Sequence, residues 1–269
     1  VIYVRSGKRT GSWNMALDQY LLEEVAAGSF EFVLRTYGWA PPCVSFGRFQ
    51  DPEKEVVPEK LLAEGIDIVR RPTGGRAVWH QSEITYSVIA RSGHTLVSGS
   101  IDESLRKVAF PLVRALEAIG VAACMNPSDR HMSGFRISAN PCFTSHGRSE
   151  IMTPEGKKLV GSAQARTRGV FLEHGSILLR NDQPRLADFL PEGIEPRRIE
   201  LIRRHLSHGA GAILDIVPDL DPRDLEDEVV DSFAAVTGET TDWIDPEYFD
   251  SERLDELIRE KEKIATQFR

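Results

Sequence analysis

Arg70-Arg71-Pro72-Thr73-Gly74-Gly75-Arg76-Ala77-Val78-Trp79-His80 is the stretch on which the reading of this chain turns. The apolar pattern from Ile66 to Arg70 predicts a strand, and a second short strand begins directly after the Pro-Thr-Gly-Gly turn. Two adjacent glycines at such a turn supply positive φ or let a ligand approach the backbone closely. Their amides, with Arg70 and Arg76 nearby, suit a carboxylate, a phosphate or the oxyanion of an acyl group. The same residues also fit a plain hairpin with arginines on its surface; the local density of Gly, Arg, Thr and His sets the binding reading beside it.

Working outward, Val1 to Arg5 reads as a first strand. Ser12 is placed to cap a helix whose apolar positions Trp13, Ala16, Leu17, Tyr20, Leu21 and Val25 recur every three or four residues, with Gly28 as its stop. Phe32 to Tyr37, Cys43 to Phe46 and Ile84 to Ala90 have the composition of strands. Ser100 and Glu103 form a capping box before a helix carrying Leu105, Val108, Leu112, Leu116 and Ile119; Pro111 inside that pattern predicts a kink or a late start. Strands follow at Arg148 to Met152, Lys158 to Ala163 and Val170 to Leu179, the last two joined by the basic turn Arg166 to Gly169. The expected fold class is α/β (α+β), with mixed, largely antiparallel sheets flanked by helices.

A second cluster of chemistry lies between Asn140 and Ser176. Cys142 falls in the loop-like Asn140 to Gly147, outside any apolar periodicity, whereas Cys43 and Cys124 sit in apolar surroundings and read as packing residues. After a turn at Gly156 come Lys157 and Lys158, of which only one can point inward from a strand. A buried lysine would lower the pKa of a nearby thiol, and the thiolate is the reactive form, although two lysines after a glycine also describe a solvated hairpin tip. His80, His146 and His174 lie near these motifs, but no spacing suggests a metal site, and no GxSxG elbow suggests a serine hydrolase.

Composition bounds the rest. The chain has 269 residues, 41% of them hydrophobic, and 33 Lys+Arg against 41 Asp+Glu for a net charge of −8, which argues against binding long nucleic acid. No apolar run approaches the ~18 residues of a membrane span. Three cysteines without close pairs speak against a disulfide framework and for a reducing cytoplasm. Charge is uneven, with residues 215–269 at net −12 and residues 1–214 at +4. Residues 1–214 are therefore expected to form the main body, and 215–269 an acidic helical extension packed on it through Leu225, Val229, Val230, Phe233, Leu254, Leu257 and Ile258.

The segment Arg70 to His80 resembles the RRxTGGxAVxH signature of the superfamily of lipoate-protein ligases, octanoyltransferases and biotin ligases. Asn14 to Asp18 resembles its NMAxD helix, Gly156 to Gln164 its GKKxxGSAQ element, and His174 to Leu179 its HGSILL strand. The motifs occur in the same order over roughly residues 1 to 180. A cysteine at Cys142 ahead of the Lys158 motif resembles the LipM-type octanoyltransferases in particular. The resemblance implies the biotin/lipoate ligase catalytic-domain fold. It also implies transfer of an octanoyl group from acyl carrier protein to a lysine of a lipoyl-accepting protein such as the glycine cleavage H protein. Cys142 and Lys158 would be catalytic, and Arg70, Thr73, Gly74, Gly75, His80 and Gly161 would bind substrate. The turn and Lys158 would line one cavity, and Gly74 and Gly75 the acyl channel. A thioester donor is already activated, so no cofactor or metal is implied. Arg197, Arg198, Arg203 and Arg204 are candidates for steering the acidic carrier. One departure is Gln81, where the family often has Asp. Three other readings stay open: an ATP-dependent lipoate ligase with Cys142 a bystander, a lipoyl or octanoyl amidotransferase, and an acyl-binding module without catalysis.

Overall fold

The structure, a computed structural model, describes residues 1–125 and 150–268. Cys142, His131 and His146 lie outside the described residues.

The chain begins with β1 (Ile2–Arg9), α1 (Gly11–Ala27), β2 (Phe32–Trp39) and β3 (Cys43–Phe46), followed by the short helices α2 (Pro52–Glu55) and α3 (Pro58–Ala63). Then come β4 (Asp67–Arg70), β5 (Val78–His80), β6 (Glu83–Arg91), α4 (Ile101–Ala118) and β7 (Cys124–Met125). The remaining elements are β8 (Ile151–Met152), β9 (Lys158–Thr167), β10 (Val170–Leu178), α5 (Pro196–Gly209), α6 (Pro222–Thr237), β11 (Asp242–Trp243) and α7 (Glu252–Thr266).

An eight-stranded sheet has the order β11-β1-β2-β6-β10-β9-β8-β7, and a three-stranded sheet the order β4-β3-β5. The pairs β1/β11, β1/β2 and β3/β4 are parallel and the others antiparallel, so the sheets are mixed and largely antiparallel as expected. One face of the large sheet packs Leu34, Val88 and Ile177 against Leu112 of α4 and Phe233 of α6. Its other face packs Val4, Ile89 and Leu172 against Leu17 and Leu21 of α1 and Leu257 of α7. The small sheet has its own core, where Val44, Phe46 and Trp79 meet Leu178, Phe189, Ile202 and Leu206. The acidic segment after residue 214 thus supplies two covering helices and an edge strand of the large sheet.

Several local expectations are corrected. The cap of α1 is Thr10, whose hydroxyl accepts from the Trp13 amide, rather than Ser12; the helix begins two residues earlier and ends at Gly28 in the left-handed region, as read. The capping box of Ser100 and Glu103 is present, and α4 starts there and runs on through Pro111, so there is no late start. Strand β9 extends to Thr167, and Arg168 and Gly169 form the tight turn to β10 with φ of 48° and 79°, which suits a two-residue hairpin. Cys43 is buried, as read, but Cys124 sits exposed in a two-residue strand at the sheet edge.

Candidate functional site

The signature turn is closed by Arg71. Its Nη1 donates to the Ser45 carbonyl and Oγ, both at 2.9 Å, and Nη2 to the carbonyls of Arg76 at 2.6 Å and Gly74 at 3.0 Å. The planar fork of a guanidinium lets one side chain hold β3 and both arms of the turn together. Arg70, the arginine singled out from sequence, instead clamps the carbonyls of Gly47, Arg48 and Gln50. Gly47 packs so closely on the turn that a Cβ there would lie 2.1 Å from the Gly75 carbonyl oxygen, which only glycine permits.

Two buried polar chains flank the turn. In the first, Thr73 Oγ1 meets His174 Nε2 at 2.7 Å, and His174 Nδ1 lies 3.4 Å from Asp18 Oδ2. Asp18 also pairs with Arg35 at 2.6 Å and accepts from Tyr37 at 3.1 Å and Ser87 at 3.0 Å. Burial alone would raise the Asp18 pKa, but the charge of Arg35 and the contact with His174 outweigh it and hold the carboxyl below its ordinary value. Burial pushes the His174 pKa down, only partly offset by Asp18, so the ring is held neutral. In the second chain His80 joins Ser45 Oγ at 2.7 Å through Nε2 and Glu83 Oε1 at 2.8 Å through Nδ1, with Trp39 stacked on the ring.

Between these chains lies a narrow cavity with mainly apolar walls. Met15 of α1, Tyr37 and Trp39 of β2, Val78 and His80 of β5, Gly161 to Ala163 of β9 and His174 to Ser176 of β10 contribute to its lining, with Arg71 and Ser45 at the wall. In the ladder Ser176 faces Gly161 and Gly175 faces Ser162. A Cβ on Gly175 would come within 2.7 Å of both the Gly161 carbonyl and the Tyr86 ring, so glycine there lets β6, β9 and β10 meet under the cavity.

Of the residues expected to bind substrate, His80 and Gly161 line the cavity, and Thr73 reaches it through His174. Arg70, Gly74 and Gly75 are not among its lining residues, and neither is Lys158, which stands three residues before Gly161 on the same strand. Lys158 is 2% exposed and pairs with Glu150 at 2.6 Å, while Lys157 is exposed, so the inward lysine of the two is Lys158. Arg35, Glu83, Ser45, Glu150 and Arg71 were not singled out from sequence. The signal available for Arg35 and Glu173 is a lone charge inside an apolar strand, which a strand buried on both faces accepts only when partnered or neutral. Glu173 is the neutral kind: burial pushes its pKa up to about 8, only partly offset by the Tyr86 hydroxyl at 2.9 Å. Among the described residues no group of His, Cys, Asp or Glu is placed to hold a metal ion.

The chain belongs to the lipoyl protein ligase A/B catalytic domain family, whose description matches residues 10–234. Among named relatives, the octanoyltransferase LipM of Kyrpidia tusciae is 39% identical over 240 residues, covering 87% of this chain and 86% of that protein. That of Lysinibacillus sphaericus is 35% identical over 218 residues, covering 80% and 78%. The bipartite lipoate protein ligase of Thermoplasma acidophilum, solved in a study with its E2 lipoyl domain, shares the fold at a TM-score of 0.74 and 22% identity, over 96% of this chain and 90% of that one.

Proposed function

We propose that the chain is an octanoyltransferase that carries the acyl group on Cys142 between an acyl carrier protein and a lysine of a lipoyl-accepting protein, in the cytoplasm. One observation carries this reading: the four motif segments around Met15, Arg71 to His80, Gly161 to Ala163 and His174 to Ser176 converge on a single narrow, mainly apolar cavity. A channel of that character suits an unbranched acyl chain, and the named relatives are octanoyltransferases.

The chemistry balances without an activating nucleotide. The Cys142 thiolate attacks the thioester carbonyl, the carrier thiol leaves, and the octanoyl group is held as a new thioester. The deprotonated amine of the acceptor lysine then attacks, forming the amide, and the proton it loses leaves with the Cys142 sulfur, which is returned as the thiol. In this reading Lys158 lends positive charge to the thiolate and to the carbonyl oxygen as it becomes an oxyanion. Glu150, 2.6 Å from the Lys158 Nζ, orients that charge. The carrier docks on α5 through Arg197, Arg198, Arg203 and Arg204; Arg203 pairs with Asp188 at 2.9 Å and Arg204 with Glu200 at 3.2 Å, contacts an acidic partner must share.

The test is incubation with octanoyl-acyl carrier protein, without acceptor or ATP. One octanoyl group, labile to hydroxylamine, is expected on the peptide containing Cys142, and it should vanish in Cys142→Ser. Full activity of Cys142→Ser from free octanoate, dependent on ATP and Mg²⁺, would overturn the reading in favour of a ligase.

A further inference from the structure

Ser45, His80 and Glu83 form a hydrogen-bonded chain at the cavity wall that takes no part in the proton or acyl transfers through Cys142. Across the antiparallel pair of β3 and β5, Ser45 faces Val78 and Cys43 faces His80, so Ser45 and His80 are diagonal neighbours on one side of the small sheet. The direction of each proton follows from the partners. Arg71 Nη1 donates to Ser45 Oγ at 2.9 Å, and a guanidinium cannot accept, so the single proton of Ser45 is left for His80 Nε2 at 2.7 Å. Glu83 Oε1 accepts from Trp39 Nε1 at 3.1 Å, Thr85 Oγ1 at 2.6 Å and Ser176 Oγ at 2.8 Å, and His80 Nδ1 at 2.8 Å is a fourth donor to it. On these partners the tautomer with its proton on Nδ1 aims the Nε2 lone pair at Ser45. Trp39, stacked at 4.2 Å and 19°, fixes the plane of the ring. Nucleophile, base and orienting carboxylate are in the relation that recurs in serine hydrolases on unrelated folds, where geometry and not a sequence elbow is the signature.

We propose that Ser45 is a second acyl-accepting nucleophile, which makes the chain a serine esterase toward medium-chain acyl esters held in the cavity. This rests on the reading of the cavity as the site of the octanoyl chain. Ser45 Oγ bonds to the acyl carbon as its proton passes to His80 Nε2; the alcohol leaves with that proton; water, giving its proton to His80, then cleaves the acyl-serine to free acid and restores the serine hydroxyl. Arg71, donating to the same oxygen, holds the hydroxyl in place so that its proton points at His80.

The experiment uses the full chain with Cys142→Ala, which removes the thiol of the transfer reaction, together with 4-nitrophenyl octanoate and a hexyl fluorophosphonate. Hydrolysis above the uncatalysed rate is expected, with one phosphonate on the peptide that contains Ser45. Adding Ser45→Ala should abolish the label and lower the rate roughly a hundredfold or more. Glu83→Gln should keep the hydroxyl but slow both hydrolysis and labelling, because the ring loses its orienting charge. If Ser45→Ala fails to fold, Ser45→Cys retains a nucleophile and should hold a hydroxylamine-labile octanoyl group at position 45. No phosphonate on Ser45, or hydrolysis unaltered by Ser45→Ala, overturns the proposal. The acyl group sought on Cys142 with the carrier-bound donor is read in the parent chain, so failure of one reading is separable from failure of the other.

Discussion

Arg35→Met should destabilise the protein more than any single contact at the site suggests. Arg35 and Asp18 are both fully buried, and their 2.6 Å pair is sealed between α1 and β2. Removing the cation strands a carboxylate in the interior, which costs about 3–5 kcal/mol. It also takes a donor from Asn14 Oδ1 at 2.7 Å and from Ser6 Oγ at 2.9 Å, a further loss of about 1 kcal/mol. For a chain of this size that corresponds to a fall in Tm of roughly 10–20 °C. The sign of the pH dependence is specific. In the parent the carboxyl of Asp18 is held below its ordinary value, so its contribution is present above the unfolded carboxylate pKa of about 3.9 and is lost only as pH falls through the lower folded value. Without Arg35 the carboxyl pKa rises above the unfolded value, so the variant regains stability as pH falls and the penalty is largest at neutral pH. Urea denaturation at pH 5 and pH 7 measures both, and the double variant Arg35→Met/Asp18→Leu should cost less than the sum of the two single changes. A loss under about 1 kcal/mol at pH 7, or strict additivity in the double variant, would refute the account of the buried pair.

Glu173→Gln should stabilise the protein above pH 8. The parent carboxyl has its folded pKa raised to about 8 from 4.5, so it stays protonated in the fold while the unfolded chain ionises, and stability falls by about 1.4 kcal/mol per pH unit across that window. His174, with its pKa lowered from 6.5, works with the opposite sign below that pH, so urea midpoints between pH 6.5 and 8 isolate the Glu173 slope, which the variant should lack. Lys158→Met should slow acylation of Cys142 by roughly 10²–10³-fold in a rapid-quench measurement, whereas Glu150→Gln, which keeps the amine, should slow it less; equal effects would remove Lys158 from the chemistry. Reversing Arg203 and Arg204 to Glu should slow transfer from the carrier more at low salt than at high salt, and an unchanged rate at both would move docking away from α5.

The fold was legible wherever one period dominates. The helix of Leu17, Leu21 and Val25 and the strands at Phe32, Cys43, Ile84 and Val170 have a single repeat bounded by glycine or a cap, and each is present within a few residues of its expected ends. The sequence does not decide the cap of α1, because Thr10 and Ser12 are both good caps and their hydroxyls meet at 3.2 Å; which one serves depends on where β1 releases the chain. β11 was not legible because its two residues, Asp242 and Trp243, are exposed and owe their strand geometry to pairing with Ile2 and Tyr3, more than two hundred residues earlier in the chain. A short edge strand of this kind has no periodicity for a sequence pattern to catch. The apolar surroundings of Cys124 mislead for a related reason: in the two-residue strand Met125 packs against the core, so the alternate residue Cys124 faces solvent.

The site was legible as a set of motifs but not as a set of contacts, and the two arginines of the turn show why. Adjacent residues leave a strand in opposite directions, so of Arg70 and Arg71 only one could reach the cavity, and nothing in the local pattern chose between them. The choice is made by Ser45, a residue on β3 whose carbonyl and hydroxyl both accept from Arg71, and by the Gly74 and Arg76 carbonyls that the turn brings back to the same guanidinium. Arg70 is left to hold the Gly47 to Gln50 loop from outside. His80 could be named from its motif, yet its work is set by Glu83, three residues on, and by Ser45 across the sheet. Glu83 is the first residue of β6 and draws four donors from β2, β5, β6 and β10. Trp39 and Thr85 carry no sequence signal of this role, and only the convergence of all four donors makes a buried carboxylate tolerable, since an unpartnered charge there would cost several kcal/mol. The cavity is therefore held open by polar groups that satisfy one another around it, and its apolar lining is free to take a chain of carbon.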